Sequence, residues 1–372
     1  MRVVALEEHF AIPRLTRQID LDTIRSRGFP LGRWSAPEQE LADLGEQRLR
    51  NMDRSGITVQ VLSASGPGAD LIEGCTGVEL ARAMNDGLAQ AIADHPGRFA
   101  GFAHLPMRDP KAAADELERA MTDLKFCGAL INGTTEGYFL DDERFDPLLS
   151  RAERLDAPIY LHPHLPPAEV RKAYFSELPG VTDFLLAGPG WGWHAELALH
   201  VLRLVVSGAL DRHPRLRLII GHMGEGLPAM MARCDQIFGP HIKHLTRSVS
   251  QTILDQVSIT TSGVFTRPPF ELALAVFGID RILFSVDYPY SSNSHGQEFL
   301  QGLSLSETDL SKIVHGNADR ILKLSPMGKL GASDGGSAIS VARHESRSHL
   351  SKSRLIDTSR PRDIAVGQFK RR

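Results

Sequence analysis

Eight short segments rich in β-branched and apolar residues, at 2–6, 57–63, 99–105, 127–132, 158–162, 216–222, 257–262 and 281–287, alternate along this chain with amphipathic stretches of helical period. Parallel strands need a crossover between them and are covered on both faces, so short apolar strands separated by helices are the signature of βαβ units. The helical period runs from Gln39 to Arg54 on Leu41, Leu44, Leu49 and Met52, and from Val78 to Asp94 on Leu80, Met84, Leu88 and Ile92. Pro110 to Leu124 opens with a proline suited to a first helical turn, and Phe145–Leu155, Trp193–Leu210, Pro268–Phe277 and Ser306–Leu322 complete the series. Eight repeats predict an α/β fold, a closed (β/α)8 TIM-type barrel, with an open doubly wound sheet as the alternative. Ala11–Ser35 and Pro163–Gly192 read as loops over the barrel mouth.

Of the 372 residues, 1–326 are expected to form the barrel and 327–372 a basic, serine- and glycine-rich tail without periodic apolar positions, which reads as disordered. A formal net charge of −3 gives no reason to expect nucleic acid or an anionic membrane as partner. No uninterrupted apolar run approaches the roughly 18 residues of a membrane span. Three scattered cysteines, Cys75, Cys127 and Cys234, make no disulfide framework, and with no basic-then-apolar leader at the N-terminus the expected location is cytoplasmic.

In a parallel barrel the C-terminal ends of the strands share one rim, and that rim carries the active site. Four apolar runs here deliver ligand-type residues to it: Glu7 and His9 in Val3-Val4-Ala5-Leu6-Glu7-Glu8-His9, His162 after Leu161, His222 after Gly221, and Asp287 after Val286. On a strand, Glu7 and His9 share a face and Glu8 takes the other. Glu7, His9, His162 and Asp287 offer two imidazoles and two carboxylates, a mixed set suited to one divalent ion, Zn²⁺ or Mn²⁺. His222 adds a further ligand or a proton-handling group. Among the other histidines, His104 reads as pocket-lining or core, His164 as a candidate substrate contact, and His194 and His200 as helix residues that pack or face water.

Six stretches carry a resemblance: Val4–Pro13, Gly128–Gly133, Tyr160–Pro163, Gly221–Pro228, Ile259–Gly263 and Arg281–Pro289. In that order they resemble the metal-dependent decarboxylases of the amidohydrolase superfamily, in the branch of the γ-resorcylate and 2,3-dihydroxybenzoate decarboxylases. The resemblance implies Glu7, His9, His162 and Asp287 as metal ligands, and His222 and Glu225 as the histidine and acid that sit with a catalytic Asp287. It further implies Arg233 and Asn132 as substrate contacts. Two departures stand out: Asp287-Tyr288-Pro289-Tyr290-Ser291 where the branch has Asp-Tyr/Trp-Pro-Phe-Glu, and His164-Leu165-Pro166-Pro167 where it has Arg-Asn-Pro.

The implied reaction is non-oxidative loss of CO₂ from a hydroxylated aromatic, or related unsaturated, carboxylic acid. Asp287 would donate the proton, His222 paired with Glu225 would tune it, and Arg233 would fork onto the substrate anion. The alternative is a hydrolase of lactonase or amidohydrolase type using the same site, with Asp287 taking a proton from a metal-activated water. Expected partners are a small aromatic carboxylate and further copies of the chain in a dimer or tetramer.

Overall fold

A computed structural model describes residues 1–29 and 37–324. The expected tail, 327–372, lies outside the described residues, as does part of the Ala11–Ser35 loop. The eight expected strands are present: β1 Val4–Phe10, β2 Val59–Ala64, β3 Phe99–Gly101, β4 Ala129–Asn132, β5 Ile159–His162, β6 Leu218–Ile220, β7 Val257–Thr260 and β8 Ile282–Leu283. Every neighbouring pair is parallel, in the orders β1-β2-β3 and β4-β5-β6-β7-β8. Parallel bridges Ala103–Ala129 and Leu6–Ser285 join the two arcs at both seams, which closes the barrel.

Residue alternation along the strands feeds two separate cores. Val4, Leu6, Val59, Val61, Leu130, Tyr160, Ile219 and Leu283 fill the barrel interior, plugged from the last helix by Ala318, Ile321 and Leu322. Ala5, Leu62, Ile131, Leu161, Ile220, Ile259 and Phe284 point the other way, against the surrounding helices. The main helices are α1 Glu46–Arg54, α2 Gly74–Asp94, α3 Pro110–Thr122, α4 Asp146–Leu155, α5 Gly192–Val206, α6 Leu227–Phe238, α7 Arg267–Phe277 and α8 Asn317–Leu322.

Three expected helices are interrupted. Gln39–Arg54 breaks at Asp43, whose carboxylate takes the N–H groups of Gly45 (2.9 Å) and Arg48 (2.5 Å) and so supplies a new start for α1. Trp193–Leu210 stops at Val206 because Gly208 turns left-handed (φ 78°) before a short helix at Ala209–Arg212. The final helix passes through a π turn at Lys312–Gly316. The mouth segments expected as loops contain short helices at Pro13–Thr16, Leu21–Ser26, Ala168–Tyr174 and Thr182–Ala187.

Candidate active site

β1 does not run regularly to its end. Between Ala5 and Glu8 its register against β2 slips by one residue, and Glu7 sits in the left-handed region at φ 59°. This bulge decides which residues reach the site. Strict alternation would have put Glu7 and His9 on the outer face with Ala5. The extra residue instead hands both to the interior, where Val4 and Leu6 point, and sends Glu8 outward. The sequence reading that Glu7 and His9 share a face holds, but the face is set by the bulge.

At the C-terminal rim Glu7, His9, His162 and Asp287 each present one ligand atom, all within 4.8 Å of one another. His162 Nε2 lies 3.3 Å from Glu7 Oε1, and His9 Nε2 lies 3.2 Å from Asp287 Oδ1. Glu7 Oε1 and His9 Nε2 are buried and have no hydrogen-bond partner. An unpartnered buried polar atom is costly, so two of them aimed at one point fit a cation held there.

The opposite atom of each side chain is secured. Glu7 Oε2 accepts the hydroxyls of Tyr160 and Ser262. His9 Nδ1 lies 3.2 Å from Ser63 Oγ, leaving Nε2 to face the cluster. Burial pushes the Glu7 carboxyl up, with Asp287 adding to it against the pull of His222. Burial holds His162 well below its usual range, in the neutral form that a metal ligand needs.

Behind the cluster, on the turn after β6, His222 Nδ1 donates to Glu225 Oε1 at 2.7 Å. Against the desolvation that burial imposes, the Glu225 and Glu7 carboxylates raise His222 to about 10. Burial acts to raise Glu225, but His222 and His194 hold it below the usual carboxylate range.

A cavity of about 350 Å³ opens from this cluster, within the size range of small-molecule sites. His9, His162, His222 and Asp287 form its floor, Phe29, Phe184, Trp193 and Tyr290 its aromatic walls, and Asn132 and His164 part of its polar lining. Tyr290, Ser291 and His164, the departures noted in the sequence, all line it.

Two expectations fail. Arg233 does not reach the cavity: α6 buries Leu227, Met231 and Cys234, which leaves Arg233 on the opposite, exposed face, bonded to Gln236 Oε1 at 2.9 Å. His194 neither packs in a core nor faces bulk water; it lines the cavity and its Nδ1 meets Glu225 Oε2 at 2.5 Å. Its only sequence signal was its place in the first turn after a mouth segment. His104 takes its core alternative, accepting the Ala69 N–H at 2.8 Å, and His200 packs as expected, accepting the Leu140 N–H at 2.9 Å.

A family model described as Amidohydrolase matches residues 25–324. The chain belongs to the amidohydrolase family. Within it, the γ-resorcylate decarboxylase of Rhizobium sp. (strain MTP-10005) is 39% identical, over 86% of this chain and 98% of that protein. A crystal structure of 2,6-dihydroxybenzoate decarboxylase complexed with 2,6-dihydroxybenzoate superposes with a TM-score of 0.76 at 37% identity, covering 87% of this chain and 99% of that one. A dihydroxybenzoic acid decarboxylase from Polaromonas sp. JS666, solved with manganese and the inhibitor 2-nitroresorcinol, gives 0.75 at 34% identity, covering 87% and 97%. Among the described residues of this amidohydrolase no helix is long and apolar enough to cross a membrane.

Proposed function

We propose that this chain is a metal-dependent carboxy-lyase that removes CO₂, without oxidation, from an aromatic acid carrying a hydroxyl beside its carboxylate. The observation that carries the reading is the pair of buried, unpartnered ligand atoms, Glu7 Oε1 and His9 Nε2, in the cluster from which an aromatic-walled cavity opens. Relatives at 34–39% identity that are decarboxylases of dihydroxylated benzoates support it.

Glu7, His9, His162 and Asp287 would hold one divalent ion, Mn²⁺ or Zn²⁺. When bound, the ion supplies a Lewis acid for the substrate's carboxylate and phenolic oxygens and offsets the two clustered carboxylates. Asp287 faces the cavity and is the proton donor: a C–H bond forms at the carboxylate-bearing ring carbon, the C–C bond to the carboxylate then breaks, and its electron pair restores the aromatic ring as CO₂ leaves. Positioned general acids of this kind contribute about 10²- to 10⁴-fold. His222 Nε2 stands 4.0 Å from Asp287 Oδ2 and, with its other nitrogen committed to Glu225, is oriented to return a proton to Asp287 through an intervening water. Trp193 and Phe184, which line the cavity, would pack apolar surface against the ring, and Asn132 would offer a polar group to a ring substituent.

Incubating metal-replete protein with a panel of hydroxybenzoates should release CO₂ and leave the ring intact. A product with an opened ring and one added water would favour the hydrolase, and no turnover of any member would overturn the reading.

The same reading includes a homo-oligomer in the cytoplasm. Large apolar side chains exposed on the helical layer, Leu199 on α5 and Met230 and Ile237 on α6, support the first part, and three free cysteines the second. Light scattering coupled to gel filtration tests the assembly.

A further inference from the structure

We propose that His194 is a positioning residue for the decarboxylation: it clamps Glu225 so that His222 keeps one tautomer and one orientation beside Asp287. The inference deepens the decarboxylase reading and rests on it. Its basis is one carboxylate shared by two imidazoles from different elements. Glu225 Oε1 takes the Nδ1–H of His222 at 2.7 Å, and Oε2 takes the Nδ1–H of His194 at 2.5 Å. The two rings meet edge to face, with centroids 4.6 Å apart.

The turn that carries His222 and Glu225 needs such a clamp. His222 (φ 50°), Met223 (φ 56°) and Glu225 (φ 56°) all occupy the left-handed region without being glycine. Such strained residues persist only where their surroundings over-determine them. The Glu225–His194 bond is the cross-brace from this turn to the first turn of α5.

His194 is itself held from its far side, its Nε2 accepting the Trp193 Nε1–H at 3.2 Å. Trp193 stands beside His162, with ring centroids 6.5 Å apart, and both line the cavity. His194 therefore links the aromatic wall to the His222–Glu225 pair. Without it, Glu225 Oε2 would be a buried carboxylate oxygen free to swing, and His222 would lose the fixed acceptor that keeps its proton on Nδ1.

The test compares full-length His194→Phe, which keeps ring volume and loses the donor, with His194→Asn, whose amide N–H stands near the Nδ1 position. In zinc-loaded protein, the expected result for His194→Phe is unchanged metal content and loss or a marked shift of the His222 Nδ1–H proton resonance. With an accepted hydroxybenzoate, its kcat should fall roughly tenfold or more while KM stays within about threefold, and His194→Asn should recover most of both signals. A His194→Phe protein with the wild-type His222 resonance and wild-type kcat would reduce His194 to packing and overturn the proposal, as would equal losses in both variants. The resonance is read without turnover. If wild type decarboxylates nothing, the decarboxylase reading fails, and the spectra still decide whether His194 positions His222.

Discussion

Glu8 Oε1 accepts the backbone N–H of Val286 at 2.9 Å, tying the first strand to the run after the last one, one residue before Asp287. Its other oxygen takes the Tyr288 N–H at 3.1 Å, so one carboxylate brackets Asp287 on both sides. Glu8 is the residue that the β1 bulge turns outward, and its fully buried neighbour Arg48 holds the His9 carbonyl at 2.6 Å. The seam that closes the barrel and the cluster of candidate ligands are thus one piece of construction.

Glu8→Gln should damage both. An amide offers one acceptor where two N–H groups need one each, leaving a buried donor unsatisfied at about 1–3 kcal/mol. Urea unfolding should show a loss of that order, and elemental analysis should show less retained metal. Unchanged stability and metal content would mean that Glu8 does not hold the seam.

Tyr160→Phe removes one of the two hydroxyls on Glu7 Oε2 without touching a candidate ligand. Loss of such an outer-shell bond costs roughly 10- to 100-fold in metal affinity, to be read by competition with a chelator. A folded variant with wild-type affinity would show that Ser262 alone orients Glu7.

Turnover in D₂O should place one deuterium at the ring carbon that carried the carboxylate. Asp287→Asn should lower kcat by about 10²- to 10⁴-fold, and any residual product should be the same compound. Product lacking deuterium at that carbon would remove Asp287 from the role of proton donor.

Acid should weaken the fold through His200. Its burial depresses its pKa to about 3, against about 6.5 in an unfolded chain, so the unfolded state binds the extra proton between those values. That contribution is whole above about pH 6.5 and falls by at most about 1.4 kcal/mol per pH unit as pH drops towards 3. His200→Gln, which can still accept the Leu140 N–H, should flatten the acid limb of stability measured by urea unfolding from pH 7 to pH 4.

How much was legible follows from the range of each interaction. The eight strands, their alternation with helices and the rim positions of Glu7, His9, His162, His222 and Asp287 are properties of local periodicity, which a linear reading can measure. Helix breaks at Asp43 and Gly208 were missed because they depend on one side-chain bond and one left-handed residue, features too small to disturb an apolar period. Arg233 was misplaced because a motif match says nothing about which face of α6 is buried; the spacing of Leu227, Met231 and Cys234 does.

The residues that can bind and react are therefore inherent in the sequence, together with the parallel barrel that gathers them on one rim. Tertiary structure alone decided the rest. A single bulge in β1 turned Glu7 and His9 inward, and the docking of α5 against the turn after β6 brought together His194 and Glu225, 31 positions apart in the chain. Such contacts arise from packing between elements distant in sequence, where neither periodicity nor spacing carries a signal.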